Sequence, residues 1–341
     1  MAEITKIGLA GFGAWGQMHA RAIAAIDDAR LTAVFCHGES SERAAAEALP
    51  DVPRFRSYDA MLAAGGFDAV TVAVPNDRHA GFAMAALEAG AHVILEKPLG
   101  VTLAECDQVL AASAAAGRHV AVNHELRVSH QWGKVREIIA AGEIGQVRHQ
   151  HFSLFRKPFR LGSGGWRHDR QRVGSWILEE LVHFVDLVLW YGAENGQPVS
   201  LQAFASSAGG LADTVSVMLR WADGSTALVT QCLAGFEHHT LLEIAGDAGA
   251  VRTWWAGVSD RTATPGFALA VCRRGAEAAE PVAIPRSGEI FELEENIRRA
   301  LDGFRTGQLV MPLAAARAAV AICLTIERSI ETDAAVVLHT I

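Results

Sequence analysis

Cysteine is scarce in this chain of 341 residues: Cys36, Cys106, Cys232, Cys272 and Cys323 lie far apart and make an odd total. A disulfide framework needs paired, patterned cysteines and a structural zinc site needs ligands a few residues apart, so neither is expected. No stretch approaches the roughly 20 apolar residues of a membrane span. The N-terminus enters an apolar strand pattern at once, with no basic region followed by a long apolar one, so no leader is expected. Basic residues never form a block, and 30 of them against 38 acidic ones leave a net charge of -8. Displacing counterions from nucleic acid takes a basic face, which argues against that partner. Together these absences point to a reducing cytoplasm and a neutral or modestly polar small molecule.

What is present is half hydrophobic, in a length that suits about two domains of roughly 100–200 residues each. Over the first third, apolar runs at residues 6–10, 31–35, 69–74, 91–95 and 119–122 alternate with helical patterns. Continuous apolar strands separated by helices predict a parallel, doubly wound sheet covered on both faces. Thr102 and Glu105 form a capping box at the start of one of these helices, each side chain satisfying an N–H of the first turn. After about Asn123 the pattern changes. Helices at 131–141 and 174–190 flank a strand at 147–155, and strand candidates at 199–205, 215–221, 227–232, 241–245 and 251–255 follow without helices between them. Such a succession predicts an open, mostly antiparallel sheet with helices on one face. The expected domains are 1–123 and 124–341, with helices at 289–304 and 312–330 closing the chain and the last one placed to pack back on the first domain.

Gly11-Phe12-Gly13-Ala14-Trp15-Gly16 directly follows the first strand and opens a helix. Gly11 permits a tight turn, Gly13 lets backbone approach a pyrophosphate, and Gly16 allows close helix–strand packing, while the helix N-terminus favours negative charge. The pattern in this context points to NAD or NADP. An acidic residue usually ends the second strand to hold the adenosine ribose. Cys36 stands there instead, followed by His37, Ser41 and Arg43, which can donate to a 2′-phosphate; Glu39 is the competing acid. The balance leans slightly toward tolerance of NADP.

Further segments make the reading specific: Ala73-Val74-Pro75-Asn76 with His79, Glu96-Lys97-Pro98, Asn123-His124 with Arg127, Gly142-Glu143-Ile144-Gly145, and 174–186 containing Glu179, Glu180, His183 and Asp186. In this order they resemble the Gfo/Idh/MocA oxidoreductases. That resemblance implies a Rossmann domain followed by an α/β domain whose open sheet is often buried in a homodimer or homotetramer. It implies cofactor contacts at Pro75, Asn76, His79, Glu96 and Lys97, and a substrate pocket near His124 and Arg127. It also implies a sugar, polyol or similar hydroxylated substrate.

The chemistry of the residues agrees. Lys97 ends a parallel strand at the edge where doubly wound folds bind ligands, and an ammonium there stabilises oxygen charge that develops as hydride leaves carbon. His183 suits the accompanying proton transfer, since imidazole titrates near neutrality. Glu179, four positions earlier, shares a helical face with it; the family usually has Asp at that place, and Glu180 is the other candidate. Trp166 and Arg167, in a glycine-rich loop, suit stacking on a sugar and hydrogen bonding to it. His149 and His151 alternate along a strand, without the compact spacing of a metal site, so no metal is expected. Three functions remain open: an NAD(P)-dependent dehydrogenase or reductase, an NAD-assisted redox-neutral glycosidase, and a sugar- or nucleotide-sensing regulator.

Overall fold

The computed structural model describes residues 4–339. The chain divides into two compact units. Among the described residues the first comprises 4–125 together with 162–174 and 293–320, and the second comprises 126–161, 175–292 and 321–339. The domain expected over 124–341 is therefore not one continuous stretch. Leu293, Ile297, Ala300 and Leu301 supply the reason. They form one apolar helical stripe, and it joins the core of Ile7, Ile23, Ile26 and Ile94.

The first unit is built from β1 (Thr5–Ala10), α1 (Ala14–Ala24), β2 (Ala29–Phe35), α2 (Glu39–Ala48), β3 (Arg54–Phe55), α3 (Tyr58–Ala64), β4 (Ala69–Val72), α4 (His79–Glu88), β5 (His92–Leu95), α5 (Leu103–Ala116) and β6 (Val120–Val122). The strands pair in parallel in the order β3-β2-β1-β4-β5-β6. The strand order thus reverses beside β1, and ligands of such sheets bind at the carboxyl ends near that point. β3 is a two-residue edge strand that leaves no apolar run to read in the sequence. The capping box of α5 forms as expected: Thr102 Oγ1 accepts from Glu105 N at 3.2 Å and Glu105 Oε2 from Thr102 N at 3.3 Å. Gly117 closes the same helix in the left-handed region, with φ 59°.

The second sheet has β7 (Val147–Phe155), β8 (Pro198–Ser206), β9 (Thr214–Trp221), β10 (Thr226–Cys232), β11 (His238–Gly246), β12 (Gly249–Gly257), β13 (Gly266–Arg273), β14 (Glu280–Val282) and β15 (Val336–Val337). Their order is β14-β13-β12-β11-β7-β10-β9-β8-β15, with β7 and β10 the parallel pair among antiparallel neighbours. Along β7, Gln150, Phe152 and Leu154 are buried while His149, His151 and Ser153 are half-buried, the alternation of a sheet covered on one face. α6 (Trp132–Ala140) and α8 (Val182–Tyr191) supply the cover, through ring contacts of Trp132 and Phe184 with Phe152.

One long helix was expected over 174–190. It forms as a π-helical turn over Ile177–Leu181 that runs directly into α8, beginning a few residues late because Gly174, with a φ of 77° that a helix does not accept, ends the short α7 (Arg170–Val173) before it. The chain ends with α9 (Glu289–Thr306), α10 (Leu313–Thr332) and β15. Among the described residues no helix is long and apolar enough to cross a membrane.

Candidate active site

Gly11 leaves β1 with φ 101°, and a Cβ there would run into the Ala73 carbonyl. A Cβ on Gly16 would strike the carbonyl of Gly11. Both glycines are demanded by the fold itself. Gly13 differs, because nothing lies within 4 Å of where its Cβ would be. It caps α1 with no side-chain hydrogen bond and no acidic residue in the first turn. An open approach onto an uncapped helix start matches what a pyrophosphate requires, so the residues present fit a dinucleotide. Ala14 is exposed and Trp15 half-buried beside them. Phe12 is 2% exposed, packed with Leu9, Val34 and Cys36; it offers a ligand only backbone.

At the end of β2, Cys36 is buried, and its Sγ donates to Ser41 O at 3.6 Å. Burial, then the charge of Glu42, pushes the thiol up to about 11. Cys36 is therefore a packed neutral group rather than a polar ligand for a ribose. Ser41 Oγ is taken by Gly38, donating to its carbonyl at 2.8 Å. His37 and Arg43 are exposed. Arg56, unremarked in the sequence, reaches this turn, donating to Glu42 Oε2 at 2.8 Å and to His37 O at 3.4 Å.

The ends of β4 and β5 are held together by buried polar groups. Pro75 is half-buried. Asn76 Nδ2 donates to Val173 O at 3.1 Å, and the ring nitrogens of His79 lie 2.7 Å from Pro98 O and 2.9 Å from Val74 O. These two side chains tie backbone segments together. Glu96 does likewise: its Oε1 lies 2.7 Å from His19 Nε2 and accepts from Asn123 Nδ2 at 2.6 Å. Burial pushes this carboxyl up, but the hydrogen bond and charge of His19, then the Lys97 charge and Trp15, bring it below the ordinary carboxylate range. Glu96 is thus an anion fixed under Lys97, which follows half-buried at the carboxyl end of β5. His124 is buried after β6. Trp166 and Arg167 are half-buried in their loop, with the guanidinium 5.1 Å from the Trp166 ring centroid.

In the second unit the π turn carries Glu179 and Glu180, and α8 carries His183 and Asp186, all buried. A π turn inserts a residue relative to an α-helix, a device that recurs at functional sites, and it alters the facing of Glu179 and His183 inferred from a regular helix. Asp186 binds Arg127 with two bonds, from Nε at 2.8 Å and from Nη2 at 2.7 Å, and that guanidinium lies over Trp190. Arg127, expected at the substrate, has its fork committed to anchoring α8. Glu180 Oε2 accepts from Arg156 Nη1 at 2.7 Å, a partnership with no sequence signal, since Arg156 reads as a loop residue after β7. Among the described residues no group of three or more His, Cys, Asp or Glu is arranged to hold a metal ion; His149 Nδ1 lies 2.9 Å from Thr226 Oγ1 instead.

Residues 5–124 match the oxidoreductase family model described as an NAD-binding Rossmann fold, and residues 132–252 match the GFO/IDH/MocA C-terminal domain. A 1,5-anhydro-D-fructose reductase of Ensifer adhaerens is 30% identical over 57% of this chain and 59% of its own length. The aligned part thus spans little more than half of that relative. An inositol 2-dehydrogenase of Rhizobium meliloti (strain 1021) is 29% identical over 72% of this chain and 74% of its own. Among solved structures, an aldose-aldose oxidoreductase from Caulobacter crescentus superposes with a TM-score of 0.84 at 19% identity, covering 98% of this chain and 100% of that one.

Proposed function

The chain belongs to the Gfo/Idh/MocA oxidoreductases, and from that premise we propose that it moves hydride between a nicotinamide dinucleotide and a carbinol or carbonyl carbon of a sugar, polyol, glycoside or sugar acid. The observation that carries the reading is Lys97 at the carboxyl end of β5, next to a buried, ionised Glu96. The names of the relatives, a reductase of an anhydro sugar and a dehydrogenase of an inositol, support it.

When bound, the dinucleotide supplies the hydride exchange. Gly13 and the start of α1 would hold its pyrophosphate, on a turn that Gly11 and Gly16 keep closely packed, and Cys36, lacking a carboxylate, leaves room for either NAD or NADP. The Lys97 ammonium donates to the reacting oxygen and stabilises its negative charge. His183 takes the hydroxyl proton in oxidation and returns it in reduction. Glu179 orients the imidazole. All five cysteines are free thiols, which fits a reducing cytoplasm. Phe155, Phe204 and Met218 are 47%, 58% and 43% exposed on the sheet face away from the helices; a second copy of this chain covering them makes a homodimer or homotetramer.

Reduction of NAD⁺ or NADP⁺ against aldoses, inositols, glycosides and sugar acids tests the reading. A rise in reduced cofactor with one group of substrates is expected. No rise with any of them, in either direction, would contradict it.

A further inference from the structure

The carboxyl ends of β7, β10 and β12 and the start of β11 lie at one edge of the second sheet. Arg156, just past β7, donates from Nη1 to Glu180 Oε2 at 2.7 Å and from Nη2 to Asp260 Oδ2 at 2.9 Å. Its guanidinium lies 4.6 Å from the Phe159 ring centroid. The third donor, Nε, is buried and has no hydrogen-bond partner among the described residues. Two more polar atoms at this edge share that state: Nε1 of Trp255, a residue only 5% exposed, and Nδ1 of His238, whose ring meets the Trp255 ring edge-on at 5.1 Å. A buried donor without an acceptor costs about 1–3 kcal/mol, and native interiors rarely collect several in one place.

We propose that Arg156, Glu180, Asp260, His238 and Trp255 form a recognition subsite for an uncharged vicinal diol of the substrate. This rests on the reading that the substrate is polyhydroxylated, and narrows it. A hydroxyl is the group that serves such a site, because its oxygen accepts from an N–H while its hydrogen goes to a carboxylate. Trp255 Nε1–H and Arg156 Nε–H supply the donors; Glu180 and Asp260 supply the acceptors.

Charge argues against an anionic substrate. Asp260 and Glu180 already answer Arg156, and Glu289, the first residue of α9, sits in the field of both. Burial, then the charges of Asp260 and Glu180, push its carboxyl up to about 8 despite Arg156 and Arg261. A cluster that suppresses its own third negative charge has no place for a substrate carboxylate or phosphate. The neighbouring His238 is held neutral, brought down to about 4 chiefly by burial.

The test uses the full chain with NAD⁺ present and isotope-labelled tryptophan indoles. The Trp255 N–H resonance is assigned with Trp255→Phe, which keeps a ring and deletes the donor. Ligands are myo-inositol, glucose and glucuronate at about 10 mM, above the ordinary range of substrate KM values. The Trp255 resonance is expected to shift with at least one neutral polyol and not with glucuronate. Trp255→Phe is expected to raise KM for that polyol about tenfold, as for one lost hydrogen bond, with kcat changed far less. A shift without cofactor reduction upholds the subsite while the hydride-transfer reading fails. Turnover of a neutral polyol with an unmoved Trp255 resonance and unchanged KM overturns the subsite, as does a shift with glucuronate equal to that with the polyols. If Trp255→Phe does not fold, the titration of the wild-type chain decides: no shift with either neutral polyol overturns the proposal.

Discussion

In the first unit, Asn296 Nδ2 donates to Asn123 Oδ1 at 2.6 Å, Asn123 to Glu96 at 2.6 Å, and Glu96 meets His19, whose far nitrogen lies 3.1 Å from Thr71 Oγ1. In the second unit, Arg156 is gripped by Glu180 and Asp260, yet its Nε, Trp255 Nε1 and His238 Nδ1 have no partner among the described residues. Both assemblies are buried and charged. They differ in whether the valences close. A closed network fixes backbone segments at the ends of β4, β5 and β6, and Lys97 inherits that rigidity. The other keeps buried polar atoms that the described residues themselves do not serve. The glycine motif repeats the contrast, with Gly11 and Gly16 packed shut and Gly13 open.

That contrast is sharpest at the glycines, where the largest effects are expected. Gly16→Val should prevent folding, because its Cβ meets the Gly11 carbonyl. Gly13→Val should fold normally and lose dinucleotide affinity by roughly a thousandfold, about 4 kcal/mol. Circular dichroism and calorimetry read the two effects separately, and tight binding by a folded Gly13→Val protein would place the cofactor elsewhere. Next come the reacting groups. Lys97→Ala and His183→Ala should each lower kcat by about 10²- to 10⁴-fold while dinucleotide binding stays near normal; near-normal turnover in both would remove them from the chemistry.

Breaking a closed pair should cost stability. Glu96→Ala deprives His19 Nε2 and Asn123 Nδ2 of the buried carboxylate they share and should lower unfolding free energy by about 3–5 kcal/mol, with Glu96→Gln recovering part by keeping a hydrogen bond. Equal denaturant midpoints for wild type and Glu96→Ala would show the network to be idle. Glu289 comes last because its effect is graded with pH. Its carboxyl rises from an ordinary 4.5 to about 8 on folding, so between those values the folded state binds more protons than the unfolded state. Stability contributed by the protonated form is present at the acid end and is lost as pH rises toward 8. Glu289→Gln, permanently neutral, should therefore melt increasingly above wild type from pH 5 to pH 8. A constant difference across that range would mean that Glu289 titrates normally.

Sequence legibility follows the same division. The parallel strands and the capping box of α5 are local signals, and each was readable from spacing alone, whereas the apolar stripe of α9 that joins the first core was not singled out. The glycine motif was readable as a motif, but its separation into packed and open positions needed the Ala73 and Gly11 carbonyls in space. β3 and β14, of two and three residues, carry too little periodicity to register. The π turn at Ile177–Leu181 was hidden because its one inserted residue leaves a sequence that still reads as plain helix. Arg127 was expected to face substrate, and its partner Asp186 stands 59 positions away. Arg156 and Asp260 are 104 apart. Long-range pairing of charges leaves no trace in spacing, which is why the network that holds α8 and the cluster at the second sheet's edge emerged only from the fold.

The central claim is hydride transfer, and deuterium follows it directly. Carbon-deuterated inositol and aldoses would be incubated with the full chain and NAD⁺ or NADP⁺, and the dinucleotide weighed by mass spectrometry. The account predicts reduced dinucleotide carrying deuterium from one class of substrate, formed at least a hundredfold more slowly, on the order of the kcat loss above, by the Lys97→Ala protein. Dinucleotide that binds the wild-type chain yet never acquires deuterium, from any of these substrates, would contradict it.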